Sequence, residues 1–116
     1  MQYKHLELSY LERMAGGDAE DRRQLLKMLV QDLAEYPDKM QTSFQNEDWP
    51  RLEKQAHYFK STLPFTGYQK LIDLNQSLHQ SLRTGKRAAD LPGLLQQIKK
   101  ESQAVLVEAQ RALEQE

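Results

Sequence analysis

Apolar residues recur at steps of three and four along most of the chain, which is the spacing of an amphipathic helix. Four such stripes are present, at residues 25–44, 52–63, 71–82 and 94–113. No segment shows the sustained alternation of apolar and polar residues that a half-buried strand requires. The pattern therefore predicts long helices and no sheet.

Capping residues and helix breakers divide these stripes into five helices. A short first helix is predicted at Leu6 to Met14, ended by Gly16-Gly17, because glycine accepts the left-handed backbone that closes a helix. Asp18, Asp48 and Asp90 each precede a stripe, and aspartate is a preferred N-cap residue. They are predicted to begin the second, third and fifth helices.

Prolines and glycines predict where the helices bend or stop. Pro37 lies inside the second helix and is expected to kink it rather than split it, because the apolar stripe keeps its phase past the proline. Pro64 and Gly67 are expected to weaken the end of the third helix. The fourth helix is predicted at Tyr68 to Arg83, and the short polar linker 85–89 leads to the fifth.

The fold class follows from the number and length of these helices. Four long amphipathic helices joined by short loops pack as an all-α antiparallel four-helix bundle of up-down-up-down topology, here with a short extra N-terminal helix. The 116 residues suffice for one hydrophobic core, so residues 1–116 are predicted to form a single domain.

Composition narrows the classes of partner. Sixteen basic and seventeen acidic residues give a formal net charge of -1, so no overall field attracts nucleic acid or an anionic membrane. The chain has no cysteine, which excludes disulfides and thiolate chemistry. It contains no signal-peptide core and no membrane-spanning apolar stretch. We therefore expect a cytoplasmic protein without membrane or nucleic-acid partners. The sequence leaves open whether it is free-standing or a domain cut from a larger membrane-anchored protein.

His57 is the candidate reactive residue. On a helical wheel it lies about 130° from the centre of the third helix's core stripe, so it is predicted to be exposed. A neutral imidazole is a nucleophile at physiological pH and suits a phosphoryl acceptor. Lys60, one turn along, can stabilise phosphoryl oxygens, and the Ser61 hydroxyl can donate a further hydrogen bond. A surface histidine without chemistry is the alternative that the wheel alone leaves open.

The facing helix supplies further candidates. If the third and fourth helices fold back about Gly67, His57 comes close to the segment from Gln76 to His79. Gln76, His79 and Arg83 then lie on one polar face, where they can offer hydrogen bonds or charge to a phosphorylated His57. A solvated face without function is the alternative for each of them.

The segment around His57 resembles the motif of histidine phosphotransfer (Hpt) domains. That motif has an alanine, the acceptor histidine, a lysine three residues later and a glycine ten residues after the histidine, as in Ala56, His57, Lys60 and Gly67. Residues 6–33 and the Asp48-Trp49 step also resemble these domains. The resemblance implies that His57 is the phosphoacceptor, that Lys60 gives it electrostatic support, and that Gly67 meets a need for a small residue. Ser61 stands directly after the lysine, where these domains commonly have glycine. On the facing helix these domains often have a polar amide side chain near the position of His79.

The same resemblance implies a function. The protein would be a carrier rather than an enzyme, taking a phosphoryl group from a receiver-domain phospho-aspartate onto His57 and passing it to another receiver. The expected partners are receiver (response-regulator) domains, with a hybrid sensor histidine kinase as a further candidate. No ATP site, metal site or cofactor is expected in this chain, because Mg²⁺ belongs to the partner receiver. We expect a monomer.

Other functions remain to be weighed. An Hpt-like helical adaptor, which binds a partner without phosphotransfer, needs the same leucine stripes and is the main alternative. A di-iron-type bundle needs inward Glu-x-x-His pairs, whereas Glu53 lies four residues before His57 and faces outward. A hydrolase is not indicated either, because the sequence has no recognisable nucleophile–base pair and no glycine-rich phosphate loop. The short charge pairs Lys86-Arg87 and Lys99-Lys100 do not indicate nucleic-acid binding.

Overall fold

All regular secondary structure in the described part of the chain is helical. The computed structural model describes residues 3–85 and 90–116. Its elements in chain order are α1 (Ser9–Ala15), α2 (Ala19–Gln45), α3 (Trp49–Thr62), a 3₁₀ helix (Leu63–Thr66), α4 (Gln69–Arg83) and α5 (Leu91–Glu114). Within residues 3–85 and 90–116 there is no strand, and the all-α prediction is confirmed.

The four long helices close around one core. Each of α2, α3, α4 and α5 packs against the next, α2 also packs against α5, and the short α1 lies on α2. Asp32 meets Thr62 whereas Ser43 meets Gln55, which is the register of an antiparallel pair. Leu29, Phe59, Leu78 and Ile98, one from each long helix, are among the fully buried core residues.. The predicted four-helix bundle with an extra N-terminal helix is therefore confirmed.

Most of the predicted caps are present. Gly16 follows α1 in the left-handed conformation, with φ of 61°. The Asp18 side chain accepts a hydrogen bond of 2.8 Å from the Asp21 backbone N–H, and Asp48 accepts one from Arg51 at 3.3 Å. Asp90 precedes α5 as predicted, but its side chain makes no capping hydrogen bond among the described residues.

The first helix begins later than its sequence pattern predicts. Helix α1 starts at Ser9 rather than Leu6, because the preceding segment is tied across the bundle. The Leu6 backbone N–H donates to the Glu108 carboxylate at 3.0 Å, and the Glu7 N–H donates to the Thr66 carbonyl at 2.9 Å. These long-range bonds satisfy backbone groups that a helix would otherwise pair locally.

Pro37 and Pro64 test the predictions about where the helices bend or stop. Helix α2 continues through Pro37, which is buried, and does not split there, whereas the kink at Pro37 stays a prediction. Helix α3 stops at Thr62, and Pro64 lies in the 3₁₀ turn that follows, so the predicted weakening of that helix end is confirmed. Of the predicted linker 85–89, residues 86–89 lie outside the described residues, and so does the Lys86-Arg87 pair. No helix in the described ranges has the length and apolar character to cross a membrane.

Candidate functional site

Helix α3 presents His57 on its outer face. Ala56 and Phe59, its neighbours toward the core, are fully buried, whereas His57 is exposed. All three histidines lie in the described residues, and of these His57 is exposed, His5 is half-buried and His79 is buried. The exposure predicted from the wheel is confirmed, and the side chain stands on a regular helix, α3.

Helix α4 brings a second histidine against the first. The rings of His57 and His79 have centroids 5.3 Å apart and are inclined by 39°. This contact confirms the predicted register, in which α3 and α4 fold back about Gly67. The expectation that His79 lies on an open polar face is wrong, because its residue is only 8% exposed. The wheel places it beside polar residues, but α3 covers it.

Burial and neighbouring charge act together on His79. Burial lowers the pKa of its imidazole because it penalises the charged form, and His57, Lys60 and Arg83 lower the pKa further by repulsion. Glu53 acts in the opposite direction. The net effect is a lowered pKa, so His79 is held in its neutral form at neutral pH.

The two histidines share a surface depression. We call it the His57 cavity, and its lining residues are Pro50, Glu53, Lys54, His57, Lys60, His79 and Arg83. Three of these residues are cations and one is a carboxylate, so the local charge is positive although the whole chain is close to neutral. A depression of this kind attracts an anion of phosphate size.

Gln76 lies in a neighbouring depression rather than beside His57. That second cavity is lined by Lys60, Gln76, His79, Gln80, Arg83 and Thr84. Lys60, His79 and Arg83 border both cavities and form their common wall. The structure therefore brings Lys60, His79 and Arg83 together around His57, whereas Gln76 is one step removed.

Two predicted supporting residues take no part in this cavity. The Ser61 hydroxyl donates a hydrogen bond of 2.6 Å to the Tyr58 carbonyl of its own helix, so it is occupied locally. Gly67 ends the 3₁₀ turn with φ of 60° and lies against Glu7, where an added Cβ would come within 2.3 Å of the Glu7 carbonyl oxygen. Its small size is required by the packing of the N-terminal segment.

Other residues near His57 escaped the sequence prediction. Asn75 is fully buried, and its side-chain amide donates a hydrogen bond of 3.0 Å to the Ala56 carbonyl. Asn75 lies between Leu71 and Leu78 in the apolar stripe of α4, and this position could have indicated that its polar side chain is buried. Lys54, one turn before His57, lines the His57 cavity, and its spacing of three residues was the corresponding signal.

The opposite flank of α3 is fixed by a buried carboxylate. Asp32 on α2 accepts hydrogen bonds from the Thr62 hydroxyl at 2.8 Å and the Tyr58 hydroxyl at 3.2 Å. Burial raises the pKa of Tyr58, as does the adjacent Asp32 charge, and the Tyr58 ring stacks on Tyr36 at 4.7 Å. The residue that follows His57 is thereby anchored to α2, which limits the freedom of α3 at this point.

The arrangement offers nucleophilic and electrostatic chemistry. In residues 3–85 and 90–116 there is no group of three or more histidines and carboxylates that could hold a metal ion. What the site provides is an exposed imidazole, cations within the same depression, and a buried second imidazole against the first. Such a site can receive and hold an anionic group on the His57 ring.

Comparisons with known proteins point to one family. The family model described as the Hpt domain matches residues 24–108. The crystal structure of histidine-containing phosphotransfer protein B (HptB) from Pseudomonas aeruginosa PAO1 is similar, with a TM-score of 0.84, 23% identity and 99% of each chain covered. The HPT domain of the Hpt sensor hybrid histidine kinase from Shewanella has a TM-score of 0.81 and 21% identity, over 96% of this chain and 95% of that one. Among curated proteins no match was found.

Proposed function

The chain belongs to the Hpt domain family, a family of histidine phosphotransfer modules in phosphorelays, and we propose that His57 is the residue that carries its phosphoryl group. The observation that carries this proposal is the placement of His57. It is an exposed histidine on a rigid helix, and it opens onto a cavity that also contains Lys54, Lys60 and Arg83. A phosphoacceptor needs this combination, because it must enter a partner's active site and then hold an anion.

The transfer step follows from the chemistry of imidazole. A ring nitrogen of His57 attacks the phosphorus of a receiver's phospho-aspartate in line with the leaving oxygen. The P–N bond forms as the P–O bond to the aspartate breaks, and the aspartate leaves as a carboxylate. Lys60 and Arg83 offset the negative charge of the phosphoryl oxygens. The reverse sequence passes the group to a second receiver.

The partners and setting belong to the same proposal. We infer that receiver domains of response regulators dock over the outer face of α3, and that a hybrid sensor histidine kinase is a further partner. In this proposal residues 1–116 act as one cytoplasmic, monomeric carrier domain. It uses no ATP site or cofactor of its own, and the Mg²⁺ needed for transfer is supplied by the receiver.

Phosphoryl transfer from a labelled receiver tests the proposal. The purified chain and its His57→Gln variant are mixed with a panel of ³²P-phosphorylated receiver domains. Label on the wild type alone, labile in acid and stable in alkali, is the expected result. The variant should keep its melting temperature, because an exposed side chain contributes little to stability.

The adaptor alternative predicts a different outcome. A chain that binds receivers without phosphotransfer would take no label from any of them, although its circular dichroism shows an intact helical fold. Label that persists in the His57→Gln variant would instead assign the acceptor role to another residue, and both results contradict the proposal.

A further inference from the structure

His79 is a largely buried residue whose ring nitrogens are open to the site. Only 8% of the residue is exposed, and no protein group in residues 3–85 or 90–116 bonds to its ring nitrogens. These nitrogens are not among the side-chain atoms that are buried without a partner, so they remain accessible to solvent or to an anion in the site. Because His79 lines both cavities at the site, its ring faces the space in which an anion on His57 would lie.

The distance between the two rings brings a phosphoryl group within reach of His79. Ring centroids 5.3 Å apart leave the His79 ring next to any group attached to the His57 ring. The backbone supports this placement, because Asn75, one turn before His79, ties α4 to the carbonyl of Ala56. The backbones that carry the two histidines are therefore held at a defined separation.

The charge around His79 becomes less positive when a phosphoryl group arrives on His57. In the unphosphorylated chain the charges that act on it come from His57, Lys60 and Glu53 on α3 and from Arg83 on α4 itself. Lys54 on α3 lines the same cavity. The cations and the burial together outweigh Glu53 and keep the imidazole neutral. Phosphoryl oxygens beside the ring add negative charge that offsets Lys60 and Arg83, which favours the protonated form.

We propose that His79 is a positioning residue that takes up a proton from solvent when His57 is phosphorylated and then donates a hydrogen bond to the phosphoryl group. The inference rests on the proposed function of His57 and assigns a regulation to the same site. It makes the stored phosphoryl group sensitive to pH, because the phosphorylated chain holds one proton more than the unphosphorylated chain over part of the pH range.

The direction of this pH dependence can be worked out. Phosphorylation raises the pKa of His79, so between its unphosphorylated and phosphorylated pKa values the phosphorylated chain binds more protons. By linkage, the equilibrium constant for phosphorylation rises as pH falls through that window, by up to about tenfold per pH unit. Above the window neither state carries the extra proton, and the dependence due to His79 disappears.

Histidine NMR of the wild-type chain tests the proton uptake directly. The chain is labelled with ¹⁵N and treated with phosphoramidate, which transfers its phosphoryl group to the imidazole as the P–N bond to ammonia breaks. Phosphorus NMR establishes that phosphohistidine has formed. We expect the titration midpoint of His79 to move upward by about one pH unit or more, as for a charge within 4–6 Å.

His5 provides an internal control in the same spectra. It contacts Tyr68, just before α4, and His79 lies eleven residues further along, which is about 16 Å of helix. Its resonances should not respond to phosphorylation. Phosphohistidine with an unchanged His79 midpoint overturns this inference alone, whereas the absence of phosphohistidine overturns the proposed function together with it.

A matched substitution tests the consequence for the relay. His79→Gln keeps a polar donor but cannot take up a proton. Equilibrium transfer between the chain and a receiver is measured from pH 5.5 to 8 for both proteins, and the ratio of their equilibrium constants removes the pH dependence of the receiver and of His57. The ratio of wild type to variant should rise as pH falls. A ratio that does not change with pH contradicts the proposal, and intact helicity of the variant is checked by circular dichroism.

Discussion

The side chain of Asn75 donates a hydrogen bond of 3.0 Å to the backbone carbonyl of Ala56, the residue immediately before His57. Both residues are fully buried, and the bond joins α4 to α3 at the level of the candidate acceptor. The other side-chain atom of the amide, Oδ1, is buried without a partner in the described chain. The structure thus retains an amide whose unpaired oxygen is costly. The hydrogen bond that the same amide donates holds α4 to the helix that carries His57.

We expect Asn75→Ala to lower the free energy of unfolding by about 1–3 kcal/mol, because it removes this hydrogen bond and leaves a void between the helices. Urea denaturation measures the change. Ser77→Ala, on an exposed position of the same helix, is the matched control and should stay within about 0.5 kcal/mol of the wild type. Equal losses for the two variants would show that the Asn75 bond contributes nothing to stability.

Lys60 is expected to accelerate phosphoryl transfer without being essential to it. It lines both cavities, one turn after His57, where its ammonium offsets charge on the phosphoryl oxygens. Lys60→Ala should therefore slow transfer from a phosphorylated receiver by roughly tenfold, the effect of about 1.4 kcal/mol on the barrier. Rapid-quench kinetics with labelled receiver measure the rate.

Two further variants separate the position of this charge from its mere presence. Lys60→Arg keeps a cation beside His57 and should restore most of the rate. Lys27→Ala removes the same charge from an exposed position of α2 that lies outside both cavities, and its rate should equal that of the wild type. A rate loss in Lys27→Ala as large as in Lys60→Ala would assign the effect to net charge.

The sequence predicted those parts of the fold that depend on local pattern. The stripe through Leu52, Ala56 and Phe59 determined both the buried face of α3 and the exposure of His57, because helical periodicity fixes the two together. The start of α1 was predicted wrongly because Leu6 and Glu7 bond to residues distant in sequence. No local pattern contains those partners.

The candidate site was predicted in its register but less well in its burial. Antiparallel packing about Gly67 was enough to place His79 near His57, because residues at similar distances on either side of a turn face each other. Whether His79 is buried depends on how closely α3 packs against α4, and the helical wheel of α4 gives no information on that distance. Ser61 shares the side of His57 on its wheel, yet its hydroxyl bonds to the carbonyl of Tyr58 within the same helix.

A buried carboxylate on α5 ties down the N-terminal segment. Glu108 is 8% exposed and accepts hydrogen bonds from the backbone N–H groups of His5 at 2.8 Å and Leu6 at 3.0 Å. Its carboxylate also lies 2.5 Å from Nδ1 of His5. Burial raises the pKa of Glu108, but the hydrogen bonds from Leu6 and His5 outweigh it, so the net pKa is lowered.

This lowered pKa predicts a loss of stability in acid. Because the folded pKa lies below the unfolded value, the contribution of Glu108 is present above the ordinary glutamate pKa of about 4.3 and is lost as pH falls through the folded pKa. We expect Glu108→Gln to cost about 1–3 kcal/mol at pH 7 and progressively less below about pH 4.3. Urea denaturation at pH 3 to 7 measures this convergence.

Glu114→Gln is the control for Glu108. It makes the same chemical change at an exposed position of α5, and it should leave stability within about 0.5 kcal/mol of the wild type at every pH. If the free energies of unfolding of the wild type and Glu108→Gln differ by the same amount from pH 3 to 7, the charge of Glu108 is not what holds the N-terminal segment.

Gly67 and Gly16 form a matched pair that separates backbone strain from packing. Both have left-handed backbones, with φ of 60° and 61°, so alanine costs about 1–2 kcal/mol at either position. At Gly16 an added Cβ meets nothing within 4 Å, whereas at Gly67 it would lie 2.3 Å from the Glu7 carbonyl oxygen. Gly67→Ala should therefore cost about 1–3 kcal/mol more than Gly16→Ala, because the N-terminal segment must be displaced.

Thermal and urea denaturation of the two alanine variants measure this difference, and phosphorylation assays identify which function of Gly67 matters. Gly67 lies outside the His57 cavity, so under conditions where Gly67→Ala is folded its transfer rate should equal that of Gly16→Ala. Equal stability losses would mean that the segment at Glu7 moves aside without cost. A slower transfer in folded Gly67→Ala alone would instead give this glycine a role in transfer beyond its packing against Glu7.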